Sequence, residues 1–263
     1  MSETSKTWLL IDAGNTAVKW TTADAAHLSS DVGRLDNATP EFDTRLTALL
    51  AAAPGFSAAF GCCVAGDALR AVIGRAVTQH GGVTVTWLQS QAAHDSAPAL
   101  VSRYRDPAQL GADRWHAMLG ARSLHPQRAL VVVHAGTATT IDCVSTDGQF
   151  VGGAILPGTD LMLEALARRT ARLPHARGAA VAFPDNTDDA IATGIADAQA
   201  GAVERIAARF AKRQGGAVTL LLGGGAAAAL HARLEAGPAI AHLELAHNLV
   251  LRGLWRRARQ PAR

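Results

Sequence analysis

The sequence predicts an α/β protein built as two lobes with mixed sheets and a ligand cleft between them. Three observations carry this expectation. Hydrophobic residues make up 49% of the 263-residue chain and charged residues 18%, too apolar for a disordered chain and enough to bury a core. Two strand–turn–strand patterns, Ile11-Asp12-Ala13-Gly14-Asn15-Thr16 and Val133-His134-Ala135-Gly136-Thr137-Ala138, stand 122 residues apart, close to half the chain. Strands and helices follow each pattern in the same order, as an internal duplication would leave them.

The elements follow in order. Thr7 to Ala13 is a short apolar run, and after the glycine turn a second run covers Ala17 to Thr22. Thr39-Pro40-Glu41 marks a helix start with a capping hydroxyl and a first-turn proline. Phe42, Leu46, Leu49 and Leu50 then recur at helical spacing until Pro54-Gly55. Ser57 to Ala65 reads as a buried strand, Asp67 to His80 as a helix and Val83 to Leu88 as a strand. Gln89 to Pro107 is polar and irregular. Pro107 to Leu124 is helical in two pieces, broken around Gly111-Ala112-Asp113-Arg114. The pattern then restarts with strands at Ala129 to Val133 and Thr139 to Val144. An Asp147-Gly148 hairpin turn leads into Phe150 to Ile155. A helix after Pro157-Gly158, a long helix from about Thr187 to Arg213, a strand at Val218 to Leu222 and another helix complete the second half. Lobe boundaries of 1–122 and 123–263 follow, with the last helix a candidate to pack back on the first lobe.

Composition narrows the compartment and the partners. The longest apolar stretch, Ala217 to Leu230, is short of a bilayer span and interrupted by Thr219 and three glycines, so no membrane partner is expected. No basic region precedes the first apolar run and Asp12 interrupts it, so no signal peptide is expected. Cys62, Cys63 and Cys143 are odd in number, lack CxxC spacing and sit in apolar runs, as buried thiols in a reducing compartment would. None of the ten histidines has zinc-like spacing. Together these features point to the cytoplasm. Lys plus Arg number 25 against 22 acids. Arg252, Arg256, Arg257, Arg259 and Arg263 fall in the last twelve residues, and without them the body is slightly acidic, 20 against 22. The basic end reads as a solvated helix terminus rather than a nucleic-acid surface.

The two turns suggest phosphate chemistry. A glycine lets backbone approach a ligand, and backbone amides with a Thr hydroxyl bind phosphate oxygens. An aspartate just before the turn can ligate hydrated Mg²⁺. No Walker or GxGxxG sequence is present, so a P-loop or Rossmann site is not expected. Each turn alone would also serve as a plain hairpin.

Asp12-Ala13-Gly14-Asn15-Thr16, Gly111-Ala112-Asp113-Arg114, Gly136-Thr137-Ala138-Thr139-Thr140-Ile141-Asp142 and Gly152-Gly153-Ala154-Ile155-Leu156-Pro157-Gly158 occur in that order. Thr170-Ala171-Arg172-Leu173-Pro174, Asn186-Thr187 and Gly223-Gly224-Gly225 follow. Over nearly its full length the chain resembles the type III pantothenate kinases of the acetate and sugar kinase/Hsp70/actin-like ATPase superfamily. The first motif is common to the superfamily; the GADR element and the GGAILPG segment are specific to the family.

The resemblance implies an α/β fold of two duplicated actin-like (ribonuclease H-like) lobes with mixed sheets and a nucleotide cleft. It implies ATP-dependent phosphorylation of the primary hydroxyl of pantothenate, the first step of coenzyme A biosynthesis, by a homodimer. By the same resemblance Asp12, Ala13, Gly14, Asn15, Thr16, Ala17, Val18 and Lys19 form the first phosphate loop, with Asp12 holding Mg²⁺ through water. Thr137 contacts ATP from the second turn, and Gly223, Gly224 and Gly225 open the adenosine side, though a strand-to-helix turn also needs such room.

Asp113 is the candidate catalytic base; from spacing alone it also fits a helix N-cap. Gly111, Ala112, Asp113 and Arg114 form a substrate segment in which Arg114 suits the pantothenate carboxylate, against the plainer alternative of an exposed helix arginine. Tyr104 matches a substrate-contacting tyrosine and Thr187 a substrate threonine that crosses the dimer interface. Each has a plain alternative, a half-buried loop aromatic and an N-cap. One position departs from the pattern. The family places Asp, which helps hold a monovalent cation such as K⁺ or NH₄⁺, where this chain has His134, so a monovalent cation is doubtful here. Two other readings are an accessory or regulatory protein that binds nucleotide or pantothenate without robust kinase activity, and a kinase or phosphohydrolase of the same fold with another small substrate.

Overall fold

The first apolar run forms β1 (Trp8–Ala13), whose Leu9, Ile11 and Ala13 alternate toward one core. The computed structural model describes residues 6–169, 178–235 and 237–260. It divides into two units, one running to Leu124 and resuming at Asn248, the other His125–His247.

In the first unit β1 pairs antiparallel with β2 (Ala17–Ala23), and β2 with β3 (Gly33–Asp36). On its other edge β1 runs parallel to β4 (Ala58–Cys63), which runs parallel to β5 (Val85–Trp87), giving the order β3-β2-β1-β4-β5. Parallel neighbours require crossovers, supplied by α1 (Phe42–Ala51) and α2 (Asp67–Gly81). Leu46 and Leu50 of α1 and Ile73 and Val77 of α2 close over Leu9 and Ile11, each contributing about 1.5–3 kcal/mol of burial. The expected capping hydroxyl at α1 is not used. Glu41 occupies the cap in a left-handed conformation with no side-chain cap bond, and Pro40 lies outside the helix.

The irregular Gln89–Pro107 stretch contains a small antiparallel pair, β6 (Ala93–His94) with β7 (Leu100–Ser102), before a 3₁₀ turn at Pro107–Gln109. Next comes α3 (Ala112–Leu124), which packs against α7 (Leu249–Ala258), the last helix of the chain. The two helices meet backbone to backbone. A Cβ on Gly253 would overlap the His116 carbonyl, and one on Gly120 the Leu249 carbonyl. That close approach fixes α3 in the first unit.

The second unit repeats the plan. Its strands are β8 (Leu130–Ala135), β9 (Ala138–Val144), β10 (Gln149–Pro157), β11 (Val218–Gly223) and β12 (Ile240–Leu245), and they follow the order β12-β11-β8-β9-β10. The meander β8-β9-β10 is antiparallel and β8-β11-β12 is parallel, the same pattern as β1-β2-β3 and β1-β4-β5. Its helices are α4 (Thr159–Arg169), α5 (Thr187–Gln214) and α6 (Ala227–Arg233). Val131, Val133, Leu220 and Leu222 pack with Val203, Ala207 and Phe210 of α5. The Thr170-Ala171-Arg172-Leu173-Pro174 motif and Arg263 lie outside the described residues.

Candidate active site

In the first unit Asp12 is the penultimate residue of β1, in register with Lys19 on β2 and Cys62 on β4. The Gly14 N–H donates to Ala17 O at 3.1 Å and closes the turn. Asn37, the residue after β3, clamps that turn from outside. Its Nδ2 donates to Gly14 O and Asn15 O, both at 2.9 Å, and its N–H donates to Thr16 O at 2.8 Å. Ala13, Ala17 and Val18 are buried beneath the turn, while Asn15 and Thr16 are exposed.

Burial pushes the Asp12 carboxyl from the ordinary carboxylate range up to about 6. Lys19 opposes this, the neighbouring Asp113 charge adds to it, and the Cys62 thiol opposes it. The thiol donates to Asp12 Oδ1 at 3.9 Å. Asp12 and Asp113 are therefore electrostatic neighbours although 101 positions separate them. Two carboxylates close together, one half-buried and beside a lysine, are a donor set that suits a hydrated divalent cation.

Asp113 sits at the second position of α3, not at its cap. Its Oδ1 accepts from the Arg114 N–H at 2.8 Å. A Cβ on Gly111 would lie 2.5 Å from that oxygen, so Gly111 supplies the room the carboxylate occupies. Arg114 is not an exposed helix arginine: it is 6% exposed. Its Nη1 donates to the Tyr104 hydroxyl at 3.3 Å and its guanidinium carbon stands 5.9 Å from the Tyr104 ring centroid. Tyr104, Gly111, Ala112, Asp113 and Arg114 thus form one cluster, joined by Asp12.

In the second unit His134 takes the place of Asp12, penultimate in β8 and opposite Thr140. The Gly136 N–H donates to Ala138 O at 3.2 Å, and Thr137 is exposed at the tip. Gly158, the residue after β10, buttresses this turn as Asn37 does the first. Its N–H donates to Thr137 O at 2.9 Å, and a Cβ there would overlap Gly136 O. Gly223, Gly224 and Gly225 leave β11 beside the same turn. Gly224 has φ +99° and no room for a Cβ against Ala135 O, and the Ala226 N–H donates to Ala135 O at 3.1 Å. The His134 ring lies between these segments: its Nε2 would be 3.2 Å from a Cβ on Gly136 and its Nδ1 3.9 Å from one on Gly223. Nitrogen there is a poor match for a hard alkali cation. Thr187 is exposed and is not the cap of α5. That role belongs to Asn186, whose Oδ1 accepts from the Asp189 N–H at 2.9 Å.

Asn37, Cys62 and the buttressing role of Gly158 were not foreseen from the sequence. Only GGAILPG, which ends in a glycine, offered a signal for the third. Among the described residues no cluster of three or more His, Cys, Asp or Glu forms a self-contained metal centre.

The model of the type III pantothenate kinase family matches residues 8–209. A type III pantothenate kinase of Aromatoleum aromaticum is 42% identical over 97% of this chain and 98% of its own, and one of Herminiimonas arsenicoxydans is 42% identical over 94% and 95%. This chain belongs to the type III pantothenate kinase family. The two kinases cover 97% and 94% of it, so the glycines of β11, beyond the family model, also lie within the shared length. Among solved structures, a Baf family protein of Campylobacter jejuni superposes with a TM-score of 0.57 at 22% identity, covering 94% of this chain and 96% of that one. That likeness shows the fold, an α/β architecture of two units with mixed sheets.

Proposed function

We propose that the protein transfers the γ-phosphoryl group of ATP to the primary hydroxyl of pantothenate, forming 4′-phosphopantothenate and ADP in the first step of coenzyme A biosynthesis. The observation that carries the reading is the cluster in which Asp113, backed by Gly111 and beside Asp12, adjoins the buried Arg114 and its half-buried partner Tyr104. A kinase of this substrate needs a proton acceptor, a metal-binding carboxylate and a carboxylate-binding cation, and one unit supplies all three.

The Arg114 N–H holds Asp113 Oδ1 and orients Oδ2 to accept the hydroxyl proton as the oxygen attacks phosphorus. Arg114, with its guanidinium braced by Tyr104, grips the pantothenate carboxylate. The turn from Asp12 to Lys19 holds phosphate oxygens, Lys19 adding charge. Thr137, at the exposed tip of the second turn, contacts ATP with its hydroxyl. Gly223 to Gly225 lie on the adenosine side. Asp12 would hold Mg²⁺ through water, and the ion would offset phosphate charge there. His134 does not fit a K⁺ or NH₄⁺ site, and no step depends on one.

The protein acts as a homodimer in the cytoplasm. Supporting the dimer, Ile155 (63% exposed), Leu161, Val181 and Phe183 (94% exposed) present apolar surface on the second unit, and Thr187 stands near them in sequence, where the resemblance places a residue reaching the partner's site. Supporting the compartment, the three cysteines are free and buried, and among the described residues no helix is long and apolar enough to cross a membrane. The test is incubation of purified protein with ATP, Mg²⁺ and pantothenate. Pantothenate-dependent ADP release with 4′-phosphopantothenate as product is expected. ADP release indifferent to pantothenate would refute the reading. Light scattering should give a dimer at micromolar concentration; a fully active monomer would remove the dimer.

A further inference from the structure

Asn15 and Thr16 are the two central residues of the first turn, flanked by Gly14 and Ala17, between β1 and β2. Two-residue hairpin turns favour the primed geometries, which need positive φ and match the twist of the flanking strands. None of Gly14, Asn15, Thr16 and Ala17 has a positive φ, so this turn holds a conformation that its own strands do not favour. Asn37 supplies the hold. Its Nδ2 donates to Gly14 O and Asn15 O and its N–H to Thr16 O, so one residue takes three successive carbonyls. The second turn has one carbonyl, Thr137 O, held by Gly158. In a trans peptide the N–H that follows a carbonyl points the opposite way. Holding Gly14 O therefore turns the N–H of the exposed Asn15 away from Asn37, and holding Asn15 O fixes the next peptide plane in the same sense. Reversing the amide would set Oδ1 against two carbonyls, so its orientation is determined. Oδ1 is left buried with no hydrogen-bond partner among the described residues, which offsets part of what the two donated bonds add. What Asn37 secures is the aim of the turn more than the stability of the fold.

We propose that Asn37 is a positioning residue that presets the first turn for phosphate, aiming its backbone N–H groups at oxygens of the ATP triphosphate. The proposal rests on the ATP-dependent reading above and deepens it. Asn37 acts through the turn and not on the reacting atoms. Donors already aimed need no rearrangement when the phosphate arrives, so the gain falls on nucleotide affinity. The pantothenate side, built on Arg114 and Tyr104, is served by neither bond of the clamp.

Asn37→Ala and Asn37→Leu test this, since both remove the two side-chain donors and keep the backbone N–H; either suffices if the other fails to fold. Calorimetry with a non-hydrolysable imido analogue of ATP should show Kd raised by about tenfold, the loss of one well-aimed hydrogen bond to a charged group. Steady-state rates should show KM for ATP raised by a similar factor and KM for pantothenate within about twofold of wild type. A merely structural role would not divide the two substrates in this way. Analogue binding within about twofold of wild type in a folded variant, or equal rises in the two KM values, would overturn the proposal. Failure of both variants to fold would make Asn37 a structural residue and overturn it equally. The binding arm separates the proposal from the parent reading. Analogue binding that depends on Asn37, in a protein that never phosphorylates pantothenate, refutes the reaction and leaves Asn37 in place.

Discussion

The two units share a strand plan and a way of holding a turn, and differ in what the turn carries. In each, a glycine turn joins the first two strands, and the residue just after the third strand props it: Asn37 by side-chain and backbone bonds, Gly158 by one backbone bond and the lack of a side chain. The residue two before each turn glycine is Asp12 in one and His134 in the other. Around Asp12 gather Lys19, Cys62 and Asp113; around His134 lie glycines. A duplicated scaffold therefore fixes where a turn sits, while residues from outside the repeat, above all those on α3, decide what it can do.

The sharpest break of that asymmetry is Asp113→Asn. The amide keeps the shape and still accepts from the Arg114 N–H, but it cannot take a proton. Turnover should fall by on the order of 10²–10⁴-fold, with thermal stability and ADP affinity near those of wild type. Initial rates beside a melting curve decide it, and activity within a few-fold of wild type would reduce Asp113 to a structural residue.

The two props offer a second contrast. Gly158→Ala drives a methyl into Gly136 O, an overlap between backbones that costs about 1–3 kcal/mol. Asn37→Ala removes bonds to partly exposed carbonyls, at about 1 kcal/mol. Urea unfolding of both variants should rank them in that order; the reverse would mean that the side-chain clamp matters more than the close approach.

Acid should distinguish the units as well. Burial holds His94 and His116, both in the first unit, at about 4, below the ordinary 6.5. Unfolding lets both protonate at their ordinary value, so they subtract no stability above pH 6.5. They destabilise progressively as pH falls from about 6.5 to 4, and add no further loss below that. The melting temperature should drop across this window, and His116→Gln, judged against wild type, should flatten the slope. An unchanged slope in the variant would show that His116 is not held neutral.

The smallest expected effect concerns alkali ions. With His134 between Gly136 and Gly223, initial rates should change by less than about twofold when KCl replaces a large organic cation at constant ionic strength. Steep activation by K⁺ would mean that other oxygens hold the ion.

Much of this was legible in the sequence because it is local. The strand–turn–strand units, the parallel β4 and β11 and the long α5 all announce themselves by apolar runs and glycine punctuation. β3, as Gly-Arg-Leu-Asp, buries only Leu35, and β12 alternates partly exposed residues along Ile240–Leu245; neither has an apolar run to find. The site divides in the same way. The motif residues could be picked out, but the pairing of Arg114 with Tyr104 spans ten positions. The Asn37 clamp closes over 23 and 22 positions and the Asp12–Cys62 bond over 50. Such contacts exist only once the sheet has assembled. Helix propensity could not foresee that Asn186, not Thr187, caps α5, since both residue types cap well.

The most direct test of the asymmetry is a Mg²⁺ titration of turnover in Asp12→Asn and His134→Asn side by side. If the metal chemistry belongs to the first turn, Asp12→Asn should raise the Mg²⁺ needed for half-maximal rate by about tenfold or more, as loss of a carboxylate ligand does, and His134→Asn should leave it within about twofold. Equal shifts in the two variants, or a larger one from His134→Asn, would contradict the account.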